Sequence, residues 1–133
     1  MFKRFYHPAI YIVLIAVLAF TACEKGPSGM TVNLTAADSN KTISVVKGEK
    51  ILITLGNPGD GGFSFDSWQY NSSVLTLGKH TRNLPPANAP TGDFGSDTWQ
   101  FTAAASGTST LKITATQSPV EVVTMFSGNV VVK

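Results

Sequence analysis

From Thr31 to Lys133 the sequence alternates apolar and polar residues with a period of two. Nowhere in that span do apolar residues recur at three-four spacing over three helical turns. Successive side chains of a strand point to opposite faces, so this pattern makes half-buried strands and gives a helix no continuous apolar stripe. Ile51, Ile53 and Leu55 alternate with Leu52 and Thr54; Trp99, Phe101 and Ala103 alternate with Gln100 and Thr102. Leu111, Ile113 and Ala115 alternate with Lys112 and Thr114, and residues 130–132 form a last apolar run. Shorter candidates lie at 32–34, 43–46, 63–70 and 74–77. Phe63 and Phe65 share one phase and Trp68 and Tyr70 the other, which predicts a bulge near Asp66-Ser67. Turn-rich segments at 47–49, 56–62, 83–95 and 106–108 separate these runs. The expected fold is all-β: an immunoglobulin-like antiparallel β-sandwich of about seven to eight strands, with a small barrel as the alternative. Ile51, Ile53, Phe101, Leu111 and Ile113 are its expected core.

Residues 1–30 are written differently. Lys3 and Arg4 precede an apolar or aromatic run over residues 9–20. Twelve helical residues span roughly 18 Å, short of a hydrocarbon core of about 30 Å, so the run reads as an export signal. Phe20-Thr21-Ala22-Cys23 resembles the lipobox of bacterial lipoproteins, with Phe20 in place of the usual leucine. Cys23, the sole cysteine, is then the expected lipid site. An ordinary signal peptide followed by a free thiol is the alternative. The expected organisation is a signal peptide over 1–22, a lipidated N-terminus and tether over 23–30, and one domain over 31–133. That organisation implies a bacterial cell envelope protein held on a membrane through its N-terminal lipid, with the periplasmic or surface face left open.

The formal charge of +2 stems from Lys3 and Arg4 in the leader; beyond it eight basic residues meet eight acidic ones. A neutral surface without a basic run argues against nucleic acid as a partner. Beyond the leader His80 is the sole histidine, and beside Lys79 and Thr81 it reads as a solvated strand-end residue. Without a nucleophile-elbow pattern or grouped ligands, no enzymatic activity, metal or other cofactor is expected. Gly56, Gly59, Gly61 and Gly62 precede neither a lysine nor a helical pattern, so a turn with positive φ explains them better than a phosphate loop. Trp68, Tyr70 and Trp99 follow strand alternation, which assigns them to the core. Stacking on sugars is the competing use.

One pattern stands out from this. Gly56-Asn57-Pro58-Gly59-Asp60-Gly61-Gly62 joins the strand at 50–55 to the aromatic Phe63-Ser64-Phe65. It closely resembles the first inhibitory loop of the chagasin-type inhibitors of papain-like cysteine proteases, which reads Asn-Pro-Thr-Thr-Gly-Tyr-Ser-Trp. Asn57, Pro58, Gly62, Phe63, Ser64 and Phe65 fill the matching positions, with one residue inserted and both threonines lost. Val45-Val46-Lys47-Gly48-Glu49 is similar to the family's lead-in. Gly92-Asp93-Phe94-Gly95 stands where its second, glycine-rich loop lies, and Ala105-Ser106-Gly107-Thr108 resembles the turn into the next strand. Gln117-Ser118-Pro119-Val120 falls where the family carries Arg-Pro-Trp, and keeps only Pro119 of it. The resemblance spans about residues 45–133.

It implies a non-covalent inhibitor whose three loops emerge at one end of a sandwich as a wedge. The first loop would cover the catalytic cysteine of a papain-like protease, and the outer two would grip the cleft walls. Pro58 limits the alternatives of the tip, and Asn57 can bond to its own backbone. The third loop lacks the guanidinium and indole that would supply most interface energy. A carbohydrate- or protein-binding module of the envelope is the alternative function.

Overall fold

The computed structural model describes residues 29–119 and 121–133. The leader, Cys23, most of the tether and Val120 lie outside the described residues. Among the described residues eight strands form two four-stranded sheets. They are β1 (Thr31–Leu34), β2 (Thr42–Val45), β3 (Lys50–Gly56), β4 (Ser64–Phe65), β5 (Leu75–Asn83), β6 (Ser96–Ala103), β7 (Gly107–Gln117) and β8 (Glu121–Val132). One sheet has the order β1-β3-β6-β5 and the other β2-β8-β7-β4. The all-β sandwich read from the alternation is the fold observed.

The inner faces carry the predicted core. Ile51, Ile53, Phe101, Leu111 and Ile113 are all buried, with Leu75, Phe126 and Val130. Trp68 and Trp99 are buried as well, and the partly buried Tyr70 packs edge to face against Phe101. The indole of Trp68 meets Trp99, Phe101 and Phe126 edge to face at centroid distances of 5.6, 5.4 and 5.9 Å. Such contacts add roughly 0.5–1.5 kcal/mol per pair beyond burial. The aromatics that sugar binding would need at the surface are spent on the core.

Three features differ from the expectation. The sheets are mixed, not purely antiparallel: β1 runs parallel to β3 and β2 parallel to β8. The chain changes sheets through a single 3-10 turn at Ala36–Asp38, so each short N-terminal strand adds to an edge beside a strand running its own way. Second, the strand expected over 63–70 pairs regularly only at Ser64 and Phe65, then through one bridge at Gln69. Phe65 faces Ala115 and Gln69 faces Lys112, so three residues oppose two. This is the predicted bulge, and it turns both Phe65 and Trp68 inward. Third, β5 extends to Asn83, well past the expected end at Leu77, through a bulge of its own.

Register places the two ends of the sandwich. Residue 31 pairs with 50 at the start of β3, whereas residues 57–63 follow its end. The connections β3–β4, β5–β6 and β7–β8 therefore all emerge at the end opposite to where β1 begins.

Candidate functional site

The first loop is a single 3-10 turn, Pro58–Gly61, written almost entirely by its sequence. Asn57 stands before it in extended conformation, and its Oδ1 accepts the Gly59 N–H at 3.0 Å. Pro58 fills the first helical position, where its missing N–H is not needed. Gly62 closes the turn in the left-handed region at φ 75° and donates its N–H to the Gly59 carbonyl at 2.9 Å. Positive φ thus explains Gly62 alone, not all four glycines. Gly59 is needed for close approach: a Cβ there would stand 2.6 Å from the ring of Phe94.

That ring belongs to the second loop, residues 84–95. Asp93 accepts the Gly95 N–H at 2.7 Å, making a tight turn, and Gly95 has φ 75°. A side chain at Gly95 would collide with the Asn83 carbonyl oxygen. Gly92 lies beneath the Asp60 carboxylate, whose Oδ1 would be 2.8 Å from an added Cβ. The Asn57 N–H donates to the Gly95 carbonyl at 2.9 Å, fastening the first loop to the second.

The third loop approaches from the other side. Gln117 Nε2 donates to the Gly61 carbonyl at 2.8 Å, while Ser118 and Pro119 are exposed. Asn57, Pro58, Gly59, Asp60, Gly61, Gly62 and Phe63 thus sit between Gly92, Asp93, Phe94 and Gly95 on one flank and Ser118 and Pro119 on the other. Gln117, absent from the predicted contact set, is the residue that ties the third loop in.

The structure also places two residues that sequence reasoning missed or misread. Along β6 the buried phase runs Asp97, Trp99, Phe101, Ala103. Asp97 is therefore a carboxylate on the core face, only 3% exposed. Its Oδ2 accepts from Asn57 Nδ2 at 2.7 Å and its Oδ1 from His80 Nε2 at 2.7 Å. His80 is solvent-exposed, as expected, but it lies within β5 rather than at a strand end, and its ring is engaged. Leu77 pairs with Phe101 and His80 with Trp99, so β5 uses three steps where β6 uses two. The extra residue turns His80 and Arg82 onto the inner phase, opposite Trp99 and Asp97. The imidazole stacks on the Trp99 indole, centroids 4.8 Å apart and planes 1° from parallel. The signal for Asp97 was legible: an acid two positions before Trp99, in phase with it. The bulge behind His80 had only Gly78 to mark it.

A cleft of about 430 Å³ opens beside the loops, lined among others by Phe63, Phe65, His80, Arg82 and Phe94. Among the described residues no three His, Cys, Asp or Glu side chains group to hold a metal. His80 Nε2 is engaged by Asp97, so the ring offers that nitrogen to no nucleophile. The arrangement presents shape and backbone at a loop tip.

No family model matches the sequence, and no curated protein does. Solved structures do resemble the fold. The cysteine protease inhibitor EhICP2 from Entamoeba histolytica superimposes with a TM-score of 0.68 at 20% identity, covering 81% of this chain and 100% of that one. Amebosin does so with a TM-score of 0.57 at 23% identity over the same shares. The fold is thus that of the chagasin-type cysteine protease inhibitors, as the loop order implied.

Proposed function

We propose that this protein is an envelope-anchored, non-covalent inhibitor of a papain-like cysteine protease. The observation that carries this reading is the braced tip. Three loops from separate connections meet at one end, joined by Asn57 N–H to Gly95 and by Gln117 to Gly61. A tip held in one conformation loses little entropy when it enters a cleft, which favours binding without a reactive group. The fold shared with EhICP2, described as a cysteine protease inhibitor, supports the same class of partner. Lipid attachment at Cys23 agrees with the geometry: β1 begins at the end away from the loops, so an anchor there leaves the tip facing outward.

The test uses the soluble domain from Lys25 onward against a panel of papain-like proteases. Inhibition is expected, and Asn57→Ala combined with Pro58→Ala should weaken it by at least about tenfold. The cooperative melt should persist in the double variant. Failure to inhibit any member of the panel would remove this reading and leave the fold.

A further inference from the structure

We propose that His80 and Asp97 are positioning residues for the first loop, and that acid tightens this loop's hold on its partner. The second half rests on the inhibitor reading above; the first half does not.

Asn57 is where the loop is fixed. Its N–H reaches Gly95, its Oδ1 holds the Gly59 N–H, and its Nδ2 donates to Asp97. A carboxylate buried on the core face holds Asn57 only while its own orientation is fixed. The Nε2–H of His80 supplies that constraint at Oδ1. Trp99 in turn fixes His80, and Phe65 and Trp68 pack edge to face against Trp99. Restraint thus passes from the aromatic core through His80, Asp97 and Asn57 to Gly59 at the tip.

Histidine is the side-chain type in this set that can gain a charge by taking up a proton near neutral pH. The side chain of His80 is 50% exposed, so protons reach it, while that of Asp97 is 4% exposed. A neutral imidazole gives the carboxylate a bond charged on one side. An imidazolium gives it an ion pair and places a cation on the indole face. Few other charges face the ring. Asp97 approaches from β6 and Arg82 lies two residues along β5, its guanidinium donating to the Phe94 carbonyl at 3.3 Å. Ser64 and Phe65 of β4 carry none. Asp60 lies over Gly92, and Asp93 is bonded to Gly95.

The experiment combines an NMR pH titration with inhibition measured on the same samples. Wild type is compared with His80→Phe, which keeps a flat ring on Trp99, and His80→Gln, which keeps a donor that does not titrate. In wild type the Asn57 side-chain amide and the Gly59 amide should shift together with the His80 ring, and in His80→Gln they should stay still. Inhibition should be about three- to tenfold stronger near pH 5.5 than near pH 7.5, after correction by a small active-site inhibitor of the same protease. Both variants should lose that slope. A His80 titration that leaves Asn57 and Gly59 unmoved would overturn the positioning role. A slope that survives in both variants would overturn the acid effect. Coupled NMR shifts with no protease inhibited at any pH would keep the brace and remove the inhibitor reading, so the two failures are distinguishable.

Discussion

Two carboxylates are buried at opposite ends of this sandwich, and they are satisfied in opposite ways. Glu49, 5% exposed, accepts the Val46 N–H at 2.8 Å, three residues back along its own turn. Asp97 takes its partners from 40 and 17 positions away, one from a loop and one across a bulge. The first closes a turn and nothing else. The second ties the loop end to the core, which makes it the place where stability and presentation of the tip are coupled.

The sharpest way to break this contrast is Asp97→Ala. It leaves the part-buried donor of Asn57 and the half-exposed donor of His80 without their acceptor, so a loss of about 1–3 kcal/mol is expected from denaturant unfolding. The exchange protection of the Gly59 amide should fall by more than global stability alone explains. A loss below about 1 kcal/mol with the loop unchanged would mean that Asp97 is not the brace.

Legibility in the sequence follows the same divide. Alternation at 51–55, 99–103 and 111–115 dictates the strands because the side-chain period is a local property of the backbone. The Asn-Pro start and Gly62 end of the first loop are local too, since cap, proline and left-handed glycine all act within a few residues. The role of Gly59 was not legible, because the ring that excludes a side chain there comes from Phe94, 35 positions on. The place of His80 within β5 was missed for a related reason. One extra residue at Gly78-Lys79 reverses which side chains face inward, and the alternation alone had ended this strand at Leu77.

Glu49→Ala sharpens the comparison from the other side. It removes one hydrogen bond whose donor lies in an exposed turn, where water replaces the lost partner. The expected loss is about 0.5–1.5 kcal/mol, and the resonances of Asn57 and Gly59 should not move. Movement there would show that the two ends communicate through the sheets and are not independent.

The smallest effect concerns a third carboxylate, partly exposed and satisfied as locally as Glu49. Asp38 is held below the ordinary value of 3.8, first by the hydrogen bond from Lys41 at 2.9 Å and then by the Thr35 N–H. A carboxyl whose folded value is depressed contributes stability above its unfolded value and loses it as pH falls through the folded one. Lys41→Met removes the leading cause. The difference in stability between wild type and Lys41→Met should therefore be full at neutral pH and close as pH falls below 3.8. Because the pair is exposed, added salt should shrink the same difference. The acid response proposed for the loop runs through a different group, at His80, so Lys41→Met should leave it intact. A change in that response would place part of it at the 3-10 turn rather than at His80.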